Sequence, residues 1–370
     1  MKKKLFFFFA TTLAACGGKY KAPPSVPSIA MPSGTALMPF DASAPGLARP
    51  SAMDSFGGKV FASLQNYDAS YTVRGPGLLG VITPVSGAVT VDDLGGADGS
   101  RCLYPFVIHD GGGKLYVSCT GDVFGTGNGK AILEVDPATG NVTRSLKTDA
   151  GPSGFALTSS KLWFGDSQSG NVYAVDRGSF TISAGPLPIP CPASGFLSTN
   201  NVILVGGDVY ATCSNSKGGF LSRLDAATGA VKMQADIGPN AAFTATGDGR
   251  IAVVSGTDNN LRLVSIGPSA LTVAVAFTYS GKTSVLNDVE ARDNFLFTAA
   301  SGSNTVQKLD LTKSGAQMLV GEANVGLGAS PYAILPLDDD QALVANQGAN
   351  TVVSVSSDCT GGKLCWAKPQ

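Results

Sequence analysis

The chain is a succession of short, nearly unbroken apolar runs separated by turns rich in Gly, Asn, Asp and Pro. Leu115-Tyr116-Val117, Ile251-Ala252-Val253-Val254 and Leu343-Val344-Ala345 are typical. A strand with one wet face alternates apolar and polar residues, whereas a strand covered on both faces does not. These runs therefore predict strands buried on both sides, with no helices to cover them. They begin near Val60, Leu115, Leu162, Val209, Ile251, Phe295 and Ala342, at steps from the low forties to the mid fifties. A repeat of about 40 to 50 residues carrying four short strands marks propeller blades. Seven starts predict an all-β, seven-bladed β-propeller of four-stranded antiparallel blades.

Each unit reads alike. Proline often introduces the first strand, as in Arg49-Pro50, Tyr104-Pro105, Gly151-Pro152, Gly238-Pro239 and Ser330-Pro331, because a residue without an N–H sits best at a strand start. The second strand is the apolar run. The third ends in a turn such as Asp136-Pro137-Ala138-Thr139-Gly140 or Asp225-Ala226-Ala227-Thr228-Gly229, where Asp bonds the turn backbone and Gly takes positive φ. The last unit offers only three strands before a Cys-bounded loop. The N-terminal segment Thr35-Ala36-Leu37-Met38-Pro39-Phe40 is expected to supply the missing outer strand and close the ring.

Two pieces of the repeat carry a family resemblance. Leu343-Val344-Ala345-Asn346 followed by Asn350-Thr351-Val352 resembles the Tyr-Val-Thr-Asn (YVTN) repeat of bacterial seven-bladed propellers. Asn171-Val172-Tyr173-Ala174-Val175-Asp176 is similar to that repeat's third strand. The resemblance spans about residues 50–356. It implies the same fold and leaves function open, since propellers host many activities.

The N-terminus predicts export. Lys2, Lys3 and Lys4 precede an apolar core from Leu5 to Ala15, too short to span a bilayer, which takes about 20 residues. Leu13-Ala14-Ala15-Cys16 resembles the lipobox of bacterial lipoproteins, which implies cleavage before Cys16 and its acylation. Gly17 stands where Asp would resemble an inner-membrane retention signal, so an outer-membrane anchor in the bacterial cell envelope is expected. The domain plan is then a signal peptide over 1–15, a lipidated Cys and solvated tether over 16–34, and a propeller over 35–370. The other six cysteines are an even set in an exported chain. Their spacing suggests Cys102 with Cys119, Cys191 with Cys213 and Cys359 with Cys365. Metal or redox chemistry is the alternative, but there is no Cys-x-x-Cys and only one His.

Charged residues make up 14% and formal net charge is −1, which gives no footprint for nucleic acid. Propeller ligands bind at the mouth of the central channel, and long loops on a rigid frame are where binding tends to live. The loops 65–77 and 120–130 are inserted relative to their equivalents and carry Tyr67, Asp68, Tyr71, Arg74, Asp122, Phe124 and Asn128. Of these, Tyr67, Arg74 and Asp122, with Arg49, Arg101, Asp166, Asp258, Tyr332 and Asn346 from other rim positions, are the candidate ligand residues. Asp258-Asn259-Asn260, and Asp122 with Asn128, offer oxygens to calcium, but no stretch is dense enough for its six to eight ligands. No cofactor is expected. His109 lies in a first strand where a general base could stand, and Glu290 and Arg292 share a strand face near the axis. There is no Gly-x-Ser-x-Gly elbow. Propellers similar to lactonases and streptogramin lyases use clustered acids or paired histidines around a metal, and one histidine cannot supply the pair. Quinone-cofactor dehydrogenase propellers carry recurring Trp motifs, and the outer-membrane assembly propeller lipoprotein has eight Trp-bearing blades; two Trp residues fit neither. The expectation is a monomeric, lipid-anchored binding or interaction scaffold with an unknown protein or small-molecule partner at its mouth. A metal-assisted lactonase- or lyase-like hydrolase using carboxylates at the mouth is the alternative.

Overall fold

The computed structural model describes residues 28–96, 98–122, 127–193, 201–279, 285–359 and 363–367. It contains seven sheets built on antiparallel strands; six are four-stranded meanders in chain order, and the seventh takes an N-terminal strand at its outer edge. The second strands are Lys59–Leu64, Leu115–Thr120, Lys161–Asp166, Asp208–Asn215, Ile251–Ser255, Phe295–Ala300 and Ala342–Asn346. Every apolar run singled out above is thus a second strand, displaced by at most one residue. First strands of neighbouring blades touch one another, and that of blade 7 (Pro331–Pro336) touches that of blade 1 (Pro50–Phe56), so the ring is closed.

The core is not one mass but seven layers, one between each pair of blades. Along the second strand of blade 2, Leu115, Val117 and Cys119 pack towards blade 1 while Tyr116 packs towards blade 3. In blade 3, Leu162 and Phe164 face blade 2 and Trp163 faces blade 4. Alternation sends neighbouring residues to opposite layers, and since both layers are dry, both residues must be apolar. Each buried side chain of this size contributes about 1.5–3 kcal/mol.

Closure uses an N-terminal strand, but not the expected one. Ser28–Ala30 pairs antiparallel with Thr351–Val353 as the outer strand of blade 7. Gly34–Leu37 is instead a single 3₁₀ turn, and Gly34 and Met38 both have positive φ, which breaks an extended run at either end. Leu37 is fully buried in the layer between blades 7 and 1. The fold therefore begins inside the stretch assigned to the tether. The C-terminal end completes the same edge: Leu364–Cys365 runs parallel to Val355–Ser356, and Ala367 exchanges both backbone hydrogen bonds with Glu322 on the outer strand of blade 6. Trp366 donates its indole N–H to the Asp340 carbonyl at 2.7 Å. The three disulfides are those the spacing suggested: Cys102–Cys119, Cys191–Cys213 and Cys359–Cys365. The first two tie the loop entering a blade to the end of its second strand.

The Asn of the Asn-Thr-Val repeat has a mechanical role. Asn304 and Asn350 stand in the left-handed region just before third strands. Their side-chain oxygens accept the N–H of the residue that enters the next blade, Ser330 at 3.0 Å and Arg49 at 2.9 Å. Asn350 also donates to the Met31 and Pro32 carbonyls at 3.3 Å, so one side chain fastens both the N-terminal segment and the blade 7 to blade 1 joint. Replacing it should test the joint. Asn350→Ala loses these bonds and strains a left-handed residue, and should cost about 2–4 kcal/mol in urea unfolding. Asn350→Gly, which accepts the φ angle but cannot make the bonds, should recover only about 1 kcal/mol of that.

Candidate functional site

The first strands form the wall of a central channel, and a bulge at their entrance aims residues into it. The register slips between Pro50 and Ala52, Pro105 and Val107, Leu286 and Asp288, and Pro331 and Ala333. The extra residues are Ser51, Phe106, Asn287 and Tyr332, and all four line a cavity of about 770 Å³ on the axis. An extra residue in one strand of a pair re-aims its side chain, and bulges recur beside active sites. Here most blades carry one, so the architecture supplies them.

Above the cavity, four tyrosines come together. Tyr67 stacks on Tyr71 at 5.3 Å and on Tyr104 at 5.1 Å between ring centroids, and Tyr332 meets Phe106 edge-on at 6.4 Å. The Tyr104 hydroxyl donates to the Tyr71 carbonyl at 3.0 Å, and the Arg49 guanidinium lies over Tyr67 at 5.6 Å. Tyr67 and Tyr104 are buried, while Tyr71 is 54% exposed at the tip of its loop. Burial raises the phenols of Tyr67 and Tyr104, with neighbouring tyrosines and Asp122 adding to it. Burial, then the charge of Asp288, pushes Tyr332 to about 12.

The loop 65–77 that carries Tyr67 and Tyr71 is held rigid from within. Asp68 accepts the backbone N–H groups of Ser70 (2.7 Å) and Thr72 (3.1 Å), and Arg74 Nε donates to its other oxygen at 2.8 Å. Asn66, fully buried in the left-handed region, donates to the carbonyls of Leu37 and Pro76 at the loop's base. An inserted loop that ends in an exposed aromatic ring is thus fixed by about as many local bonds as a strand.

Below the mouth, Asp288 and Glu290 face the channel from the first strand of blade 6 (Leu286–Arg292). Asp288 accepts the Ile334 N–H of blade 7 at 2.9 Å and the Val289 N–H at 3.0 Å. Glu290 accepts the Thr244 hydroxyl of blade 5 at 3.2 Å. Burial pushes Asp288 up to about 6 despite the two donors. Burial and the charge of Asp288 push Glu290 well above the carboxylate range, and Asp54 on blade 1 adds to this.

The sequence candidates divide. Arg49, Tyr67 and Tyr332 converge at the mouth, Asp122 lies close enough to bear on Tyr104, and Arg74 braces the loop. Arg49 also donates to the Gln347 carbonyl at 2.9 Å, bridging blades 1 and 7. Four others serve their own turns. Arg101 folds back onto the Leu94 and Asp93 carbonyls, and buried Asp166 accepts Gly151 N–H, Gln168 N–H and the Ser169 hydroxyl. Asp258 is paired with Arg262, and Asn346 is buried against Thr351. Arg292 is exposed beside Asp293 and parts company with Glu290. His109 stands opposite Tyr116 in its strand pair; its side chain, like Phe124 and Cys16, lies outside the described residues. No group of three or more His, Cys, Asp or Glu among the described residues could hold a metal ion. Asp288, Tyr104 and Phe106 were missed, although Asn287-Asp288-Val289-Glu290 puts two acids on one strand face.

No family model matches the chain, and no curated protein matches it. Solved structures do. A Kuenenia stuttgartiensis hydrazine synthase chain is similar with TM-score 0.66 at 17% identity, over 84% of this chain and 96% of that one. Staphylococcus aureus virginiamycin B lyase gives 0.62 at 12% identity, over 83% and 96%. A chain of the mitotic checkpoint complex gives 0.61 at 12% identity, over 96% and 98%. Identities this low speak for the fold alone. The chain is a seven-bladed β-propeller.

The carboxylate pair makes stability depend on pH in a definite direction. A carboxyl whose folded pKa lies above its unfolded value near 3.8 binds its proton more tightly in the fold, so its contribution is full below that value and lost as pH rises. Asp248 and Asp340, held down to about 2 by hydrogen bonds and basic neighbours against the opposing effect of burial, act only below about pH 4. Urea unfolding midpoints should therefore rise as pH falls from 7 to 5. In Glu290→Gln this rise should shrink and the midpoint at pH 7 should exceed the wild type's.

Proposed function

We propose that this chain is a lipid-anchored binding propeller of a bacterial envelope, built on YVTN-type repeats, which takes its ligand or partner at the mouth of the central channel. The observation that carries this reading is the rigid tyrosine cluster set over a cavity of about 770 Å³. Small-molecule sites are typically apolar hollows of about 300–1,000 Å³ with a few placed polar groups. The rim adds exposed apolar side chains: Met38, Phe40 and Tyr71 are 44%, 48% and 54% exposed around the 65–77 loop. Exposed apolar patches of this kind mark contact sites. The anchor rests on Lys2-Lys3-Lys4 and Leu13-Ala14-Ala15-Cys16, with Gly17 favouring the outer membrane. Several acyl chains hold a protein at a bilayer, each buried CH₂ contributing about 0.8 kcal/mol.

A lactonase- or lyase-type reaction is the second reading, favoured by Asp288 and Glu290 lying inside the channel with raised pKa values, a pattern common at catalytic sites. Metal measured on the purified protein, with lactone turnover that chelation or Glu290→Gln abolishes, would establish it; no metal and no turnover would dismiss it.

Two measurements test the first reading. Cys16→Ala should move the protein from the membrane to the soluble fraction and remove fatty-acid labelling. A photo-crosslinking residue at Tyr71 or Met38 should capture a partner or ligand in the native envelope, whereas one at Val275, equally exposed on the outer edge of blade 5, should not. Equal capture at both places, or none at the rim, would remove the mouth from consideration.

A further inference from the structure

The channel has two unlike sides. Blades 3 to 5 present Leu157, Ile203, Leu204 and Ala242, while blade 6 presents Asp288 and Glu290, with Tyr332 and Phe106 towards the mouth. Leu204 and Val285 are 37% and 39% exposed although both line this cavity, so apolar surface faces it uncovered. None of the described lining side chains is basic. The nearest rim cation, Arg49, is engaged by the Gln347 carbonyl and the Tyr67 ring, and Arg292 points to solvent beside Asp293.

We propose that the channel binds an amphipathic organic cation, its ammonium or guanidinium head on Glu290 and Asp288 and its apolar body against blades 3 to 5. This deepens the reading of the mouth as a ligand site and rests on it. Among the described residues one donor, the Thr244 hydroxyl, reaches Glu290, whose ionised carboxylate could accept about four hydrogen bonds. An N–H cation supplies what is missing, and charge-assisted bonds to carboxylate are about twice as strong as neutral ones. A bare metal ion is the poorer fit: a third ligating carboxylate, Cys or His is not grouped with the pair among the described residues, and an ion would leave the apolar wall wet. The groups that face Glu290 electrostatically are Asp288 and Asp54, both negative when ionised, and burial together with Asp288 raises its pKa. A bound cation would favour the ionised, paired carboxylate.

The test uses three probes on one skeleton: 4-phenylbutylamine, 4-phenylbutanol and 4-phenylbutyrate, titrated calorimetrically at pH 7 into the detergent-solubilised full-length protein and into Glu290→Gln. Wild type should bind the amine at least about tenfold more tightly than the alcohol, with the butyrate weakest. Glu290→Gln should bring the amine down to the alcohol's affinity and leave the alcohol unchanged. If that variant fails to fold, the amine-to-alcohol ratio on wild type decides alone. Equal binding of amine and alcohol overturns the cation while keeping the channel as a ligand site. Binding of none of the three overturns the cation and the small-molecule site together, leaving the rim crosslinks as the separate measure of a macromolecular partner.

Discussion

Everything in this molecule follows from sheets that are apolar on both faces. A four-stranded sheet such as blade 3 carries Leu162 and Phe164 on one side and Trp163 on the other, all fully buried. No single neighbour can cover both sides, and an end sheet in a stack would leave one layer open to water. A closed ring has no end sheet, so each of the seven layers is dry. The last layer has to be made by residues far apart in the chain: Met31, Leu37, Val60 and Leu64 meet Leu343 and Val352. That is why the first and last described strands both join blade 7, and why Asn350 sits at the joint with bonds to either side.

The site is a by-product of the same geometry. Ring closure brings seven strand entrances to one axis, and the recurring bulges turn one residue of several entrances inward. Left-handed residues before the first strand, among them Arg49, Tyr104, Asn240, Val285 and Ser330, recur around the ring. Their backbone conformation is therefore part of the repeat and no sign of local function, even though Arg49 and Tyr104 also belong to the mouth. What distinguishes one sector is side-chain identity alone: aromatic rings where blades 1, 2 and 7 meet, and carboxylates on blade 6.

Legibility in the sequence followed physical redundancy. Second strands were readable because double-sided burial imposes three or four apolar residues in a row, as in Leu162-Trp163-Phe164 and Ile251-Ala252-Val253-Val254. The closing strand was not, because Ser28-Ile29-Ala30 asks for only one apolar residue between small ones, whereas Thr35–Phe40 looks as strand-like until Gly34 and Met38 bend it. The disulfides followed from spacing along hairpins. Among site residues, Arg49, Tyr67 and Tyr332 could be placed from their loops. Asp166 and Asp258 also serve their own turns, because Asp is what a turn uses to bind its own backbone, and the same oxygens that suggest a ligand satisfy local N–H groups. Asp288 escaped because its inward face depends on a bulge at Asn287 that the residue pattern does not announce.

The two channel acids differ in what the fold requires of them. Asp288 has structural work, since its oxygens satisfy the Ile334 and Val289 N–H groups across the blade 6 to blade 7 joint. Comparable joints elsewhere are made by neutral side chains, Ser51 to the Pro105 carbonyl and Asn201 to the Phe243 carbonyl, and Asn287 already bonds the Pro331 carbonyl across the same joint. Glu290 makes one bond to Thr244 that a glutamine could make equally well. Asp288 and Glu290 are half-buried on one strand face with Asp54 near, so ionising both there costs more than it would in bulk water. A cost the scaffold does not need points to the contents of the channel. That is the physical sense in which Glu290, whose described bond to Thr244 needs no charge, is the side chain on which the proposed ligand chemistry turns.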